Sequence, residues 1–189
     1  MKIDWKVSAP LALLLLAAAA QAQPAPPTAG YRAELLRQVD DVGKKLVDLA
    51  EAMPAEKYAW RPAEGVRSVG EVYVHVAQAN FGIPRIWGGA ATTGGIDPKA
   101  LSGQAGDKAK VTAALKQSLA SARQAVLAVP DADLDRKVHV FDHDGTVREV
   151  MTLLGNHMHE HLGQSIAYAR MNGVVPPWTA AEQAAEHKK

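Results

Sequence analysis

Apolar residues recur along this chain with a helical period. Leu35, Val39, Val42, Leu46, Leu49 and Met53 step alternately by four and three, which sets them on one stripe of a helix packed on others. Pro54 lies just past that stripe, and Trp60-Arg61-Pro62 with Gly65 reads as a connection because prolines and glycine break any period. A second helix is predicted from Ser68-Val69-Gly70-Glu71, a capping box in which the Ser68 hydroxyl meets the Glu71 amide and the Glu71 carboxylate reaches back to the Ser68 amide. Its stripe is Val69, Val72, Val76, Ala79 and Ile83, with Pro84 ending or kinking it before Trp87. A third stripe, Val111, Leu115, Leu119, Ala122, Val126 and Val129, is closed by Pro130. The fourth starts at a second capping box, Thr146-Val147-Arg148-Glu149. It carries Val147, Met151, Leu154, Met158, His161, Ser165 and Tyr168 on one seam and ends near Gly173, ahead of Pro176-Pro177.

The intervening segments are less regular. Residues 88–106 are rich in glycine and form a long loop, either a lid or a disordered segment. Val138-His139-Val140-Phe141 alternates briefly before a turn at Asp142-His143-Asp144-Gly145, a small extended excursion. After Trp178 the chain is polar and alanine-rich, a short helix or a frayed end. Four striped helices without a convincing sheet predict an all-α fold, a four-helix bundle over residues 31–178, followed by a polar tail at 179–189.

The start of the chain bears on compartment. Lys2 and Lys6 precede an apolar stretch from Val7 to Ala20, and Ala20-Gln21-Ala22 has the small-x-small pattern that a signal peptidase cuts. About 14 apolar residues interrupted by Pro10 fall short of the roughly 20 of a spanning helix, so no stable membrane anchor is expected. Residues 1–22 are read as a signal peptide cleaved after Ala22, the protein as periplasmic, and the proline-rich residues 23–30 as a flexible linker. There is no cysteine, hence neither a lipoprotein attachment site nor a disulfide, and any metal must be held by nitrogen and oxygen.

Charge narrows the partners. The formal net charge is +1, and cleavage would remove Lys2, Lys6 and Asp4, leaving equal numbers of basic and acidic side chains. Nucleic-acid binders concentrate a basic excess on one face. Here no run of Lys or Arg exceeds Lys44-Lys45 or Lys188-Lys189, so nucleic acid is not an expected partner and a small-molecule ligand or substrate is.

Candidate chemistry gathers on the fourth helix. His157 and His161 are one turn apart, roughly 40° around the helix, close enough to share one metal ion, whereas His159 points roughly 160–200° away from both. His159-Glu160 followed by Gly163 fails the zinc-protease pattern, which needs histidine where Gly163 stands. His75 is a candidate third ligand: it lies beside the buried stripe of the second helix, which in a bundle can face the fourth. Three imidazoles would leave metal positions open to water or substrate. The alternative is that His75 is a satisfied core histidine and the pair on the fourth helix is polar packing. His139 and His143 sit in a polar turn beside Asp142 and Asp144, which lacks the acidic spacing of a calcium loop. Gln164 either orients a ligand from the next turn or faces solvent, and Gly163 is expected to permit close helix approach. Glu160 is expected to turn away with His159, and Glu71 is committed to its cap, which leaves no independent general base.

Trp60-x-Pro62, Ser68-Val69-x-Glu71, His75, His157-x-x-x-His161-x-Gly163-Gln164 and Arg170-x-x-Gly173-x-x-Pro176-Pro177, in that order, resemble the DinB-like superfamily of bacterial four-helix proteins over residues 31–178. The resemblance implies a histidine triad of His75, His157 and His161 holding a divalent metal, nickel or zinc, between helices two and four. It further implies a metal-dependent enzyme of the hydrolase or thiol-transferase type, activating water or a small thiol, and is compatible with a homodimer. A metal- or small-ligand-binding module without turnover is the alternative.

Overall fold

The chain is described by a computed structural model covering residues 25–187. The expected signal peptide, the first two residues of the expected linker and the final two lysines of the tail lie outside the described residues. Within that range the order is α1 (Gly30–Ala52), α2 (Val69–Gly82), α3 (Lys108–Leu127), a hairpin of β1 (Lys137–Val140) and β2 (His143–Thr146), α4 (Val147–Met171) and α5 (Pro177–Glu186). The molecule is thus mostly helical, and the all-α expectation is corrected by one two-stranded antiparallel ribbon. No helix among the described residues is long and apolar enough to cross a membrane.

The stripes read from the sequence become the core. Val42, Leu46 and Leu49 of α1, Val72 and Val76 of α2, Leu115, Ala122 and Val126 of α3, and Met151, Leu154 and Met158 of α4 are all essentially inaccessible to solvent. They bring α1 against α3 and α4, and α2 against α3 and α4, so each of the four long helices has two long neighbours. Each fully buried Leu or Met is worth about 1.5–3 kcal/mol of burial free energy, so this shared interior outweighs any single polar contact described below. On α4 the residue that lets a neighbour close in is Gly155, where an added Cβ would meet Leu35 Cδ1 at 3.2 Å. The expectation attached to Gly163 is corrected: it is exposed, with nothing within 4 Å of where its Cβ would stand.

Both ends of α2 follow from local chemistry. Glu71 N–H donates to Ser68 Oγ at 3.3 Å and Ser68 N–H donates to Glu71 Oε2 at 2.6 Å, so two free amides of the first turn are satisfied reciprocally. That backbone amide is the first cause holding the Glu71 carboxyl below the usual range, with Arg61 adding to it. Ser68→Ala should lower stability by about 1 kcal/mol, readable as a shifted urea midpoint at unchanged slope; no shift would show that the box contributes nothing. At the far end Pro84 stops the α-helix at Gly82, and the chain continues as a tighter 3₁₀ turn to Trp87, released by Gly88 at φ 86°.

Segment 88–106 is packed. Gln78 Nε2 donates to Pro98 O at 2.7 Å and to Ser102 Oγ at 3.1 Å, Thr92 N–H donates to Ser121 Oγ at 2.9 Å, and Leu101 is buried. These contacts tie the segment to α2 and α3. Asp107, whose Oδ1 accepts from Lys110 N–H at 3.1 Å, then caps α3.

The hairpin differs from expectation in register and in its cap. Val140 pairs with His143, so the turn residues are Phe141 and Asp142, and His143-Asp144-Gly145 belongs to β2. Phe141 takes the positive φ, 54°, that such a two-residue connection demands. Gly145 is small for room: a Cβ there would meet Val140 Cγ2 at 2.9 Å and overlap the Glu149 carboxylate. The second capping box forms only by half. Glu149 N–H donates to Thr146 Oγ1 at 3.2 Å, but the Glu149 carboxylate is drawn to His143 Nε2 at 2.6 Å instead of to the Thr146 amide.

That ion pair gives the hairpin a pH dependence. Its hydrogen bond to Glu149 is the first cause raising the His143 pKa, and Asp142 adds to it. A raised folded pKa means the pair's stabilisation is complete below the unfolded value near 6.5 and is lost as pH rises through the folded value. Glu149→Gln should lower the His143 titration midpoint followed by ring NMR; an unmoved midpoint would show that the contact is not formed in solution.

Candidate metal centre

Three imidazoles converge where α2 faces α4. His75 comes from α2, two turns beyond the Ser68 cap, and His157 and His161 come from consecutive turns of α4. One ligand nitrogen from each lies within 4.8 Å of the other two. His75 Nε2 and His157 Nε2 are 3.0 Å apart, and the three ring centroids are separated by 4.5–4.9 Å. Two ring nitrogens at that distance need one proton or one cation between them. Two nitrogens bonded to a common ion at about 2.0–2.1 Å stand roughly 3 Å apart, so the spacing suits either.

The surroundings disfavour the protonated forms of His75 and His157. Burial, followed by the proximity of His161 and His75, holds the His157 pKa down at about 4. Burial is also the first cause lowering the His75 pKa, with the Arg67 guanidinium and His161 adding to it. A neutral imidazole is the form that binds a metal, so the lowered values at His75 and His157 favour the ligating form.

His161 is the most buried of the three, at 6% exposure, and its orientation is fixed. Its Nδ1 lies 2.8 Å from Gln164 Oε1. An amide oxygen only accepts, so His161 Nδ1 carries the proton and Nε2 is left with its lone pair for the cluster. Gln164 Nε2 in turn donates to Tyr168 Oη at 3.0 Å, and the Tyr168 ring stands edge-on to Trp60 with centroids 5.5 Å apart. Gln164 therefore acts on the ring of His161 along one helix. His157 Nδ1 is buried without a hydrogen-bond partner among the described residues, so the polar contact of that ring is the one its Nε2 makes with His75.

The other histidines lie apart. His159 is exposed with Nδ1 2.9 Å from Gly155 O, and His139 and His143 are exposed on the hairpin beside Asp144, Asp142 and Glu149. Glu160 is exposed, yet its charge reaches the cluster. Its carboxylate raises the proton affinity of both His75 and His157, partly offsetting burial. The spacing could have revealed this: Glu160 is three residues after His157, only about 60° around the helix, whereas its distance from His161 suggested the far side. Arg67, on the connection into α2, is the second residue that sequence reasoning passed over, since nothing in an irregular segment says where an arginine will face.

The fold is shared with known proteins. The family model described as DinB superfamily matches residues 38–165. Among solved structures, a DinB-like protein from Bacillus cereus aligns with TM-score 0.53 and 21% identity over 76% of this chain and 93% of that one. A DinB-like protein from Bacillus subtilis aligns with TM-score 0.52 and 20% identity over 75% and 93% of the two chains. At such identities these two structures speak for the fold. No curated protein shows a significant match. The family match runs from within α1 to within α4 and takes in all three clustered histidines, and the chain belongs to the DinB superfamily.

Proposed function

We propose that this is an exported metal-dependent protein in which His75, His157 and His161 hold one divalent ion, nickel or zinc, between helices two and four of a four-helix bundle. The observation that carries the reading is the convergence of three ring nitrogens within 4.8 Å, from two elements 82 residues apart in sequence. The residues fit such an ion: three imidazoles with no thiolate or carboxylate inside the cluster, and a tautomer at His161 that leaves Nε2 free. When bound, the ion supplies Lewis acidity and lowers the pKa of water or of a thiol at an open position. The chain does the rest. Gln164 keeps the His161 proton on Nδ1 and so leaves Nε2 its lone pair. The reaction class is hydrolysis or thiol transfer on a small molecule.

Elemental analysis of the protein isolated from its native compartment tests the metal, and also the periplasmic location, by where the protein is recovered. Near-stoichiometric nickel or zinc is expected. Screening the loaded protein against thiol conjugates and simple esters addresses turnover; tight metal binding with no acceleration of either class would favour a metal-binding module without chemistry.

A further inference from the structure

A cavity of about 380 Å³ opens beside the histidine cluster and has His75 in its wall. Its volume falls in the range of roughly 300–1,000 Å³ typical of small-molecule sites. The side chains that give it its character are Arg61, Arg67, Glu71, His75, Gln78 and Ser102. Most of these have their bonding settled within the protein. Arg61 donates to Val66 O at 3.0 Å and to Glu71 Oε1 at 3.2 Å, so its charge is offset and its fork is occupied. Gln78 is held by Pro98 O and Ser102 Oγ. Arg67 differs: it is exposed, it lines the cavity, and it has neither a hydrogen bond nor an ion pair among the described residues.

Arg61 and Glu71 pair with each other, so the permanent charge left in the wall is the Arg67 guanidinium, with all its donors unclaimed among the described residues. A planar fork of this kind matches a carboxylate bidentately. A doubly charged phosphate would be less well balanced by a single free cation, and it would also face Glu71. Resting on the metal-site reading above, we propose that this cavity takes a small carboxylic acid, its carboxylate paired with Arg67, so that the rest of the molecule lies toward His75 and the open side of the cluster. Arg67 is then the residue that selects the substrate by charge, and its guanidinium, a permanent cation with no lone pair to offer, makes it a binding group, not a metal ligand. A divalent ion at the cluster would deepen the preference for an anion.

The test uses the full chain as purified after metal loading, titrated calorimetrically and by amide NMR with succinate, with uncharged succinamide of the same shape, and with inorganic phosphate. Succinate should bind with a millimolar or tighter Kd and shift the Gln78 side-chain amide and the Val66 and Val74 amides, and succinamide should not. Arg67→Gln should weaken succinate at least tenfold and Arg67→Lys less; Arg67 is exposed, so both should keep wild-type helicity and metal content. Equal binding of succinate and succinamide, binding of phosphate in place of succinate, absence of shifts at the cavity, or an unchanged Kd in Arg67→Gln would each overturn the proposal. Metal content of the same samples keeps the two readings distinct. Succinate binding that depends on Arg67 in protein without metal would sustain the cavity and sink the metal centre, and stoichiometric metal without succinate binding would do the reverse.

Discussion

The double variant His157→Ala/His161→Ala should retain essentially no nickel or zinc, whereas the wild-type protein purified in parallel without chelator carries close to one ion per chain. The size of the effect follows from ligand count. One remaining imidazole, His75, is no better than any surface histidine, whereas three imidazoles converging within 4.8 Å bind a common ion cooperatively. A linked thermal readout makes the result independent of how the metal is assayed. Free metal at about 100 times its Kd stabilises the wild-type fold by about 2.7 kcal/mol, which for a domain of this size raises Tm by on the order of 5–10 °C. The variant should show no such rise. Equal metal content in the two proteins would remove the triad from consideration, and equal thermal response would place the stabilising ion elsewhere.

The same residues set an acid limit in the metal-free protein. The His157 pKa is held at about 4, below the unfolded value near 6.5, so the unfolded chain takes up a proton first. Folding stability should therefore fall as pH drops from about 6.5 toward 4. The double variant should lose that part of the pH dependence.

Gly70→Ala should destabilise the fold by about 2–3 kcal/mol, against the usual direction for a glycine within a helix. Replacing glycine by alanine in a helix ordinarily gains about 1 kcal/mol through propensity. Here a Cβ would overlap the Ala105 carbonyl oxygen, stand 2.8 Å from the Ala105 carbonyl carbon and lie 3.1 Å from Tyr58 Cδ1. The obstacle is backbone, which cannot rotate away, and the cost of forcing extra volume into a packed site is typically 1–3 kcal/mol. Overpacking therefore wins. Gly70 N–H also donates to Tyr58 O at 3.0 Å, so a shift of this turn disturbs both connections that meet at the start of α2. Denaturant unfolding reads the change, and a stability equal to or above wild type would show that segment 100–106 does not rest on α2 in solution. Because Ser102 of that segment lines the cavity beside His75, the variant should also weaken succinate binding, whereas metal content stays close to one ion per chain.

Much of this protein was legible one residue at a time. The stripes named most core positions of α1, α3 and α4 because a helix buries one face with the helical period, whereas α2 also buries Tyr73, Val74, Ala77 and Phe81 off its stripe, since neighbours cover more than one of its sides. The Ser68–Glu71 box fixed the start of α2 because both of its hydrogen bonds are local. His157 and His161 declared themselves as a pair for the same reason, being joined by a single turn of one helix. The hairpin was less readable: its turn fell on Phe141 and Asp142, where the sequence suggests Asp142 to Gly145, because Gly145 is required for space against Val140 and not for a positive φ.

What the sequence by itself determined is therefore local: which faces of which helices are apolar, where α2 begins, and that two histidines share a face of α4. Only the tertiary structure decided that His75 stands 3.0 Å from His157, that segment 88–106 is pinned to α2 and α3, that Glu149 leaves its cap for His143, and that Arg67 faces the cavity beside His75. The physical reason is range. Helical period and capping are set by neighbours within about four residues, whereas these contacts join groups whose approach depends on how whole helices pack.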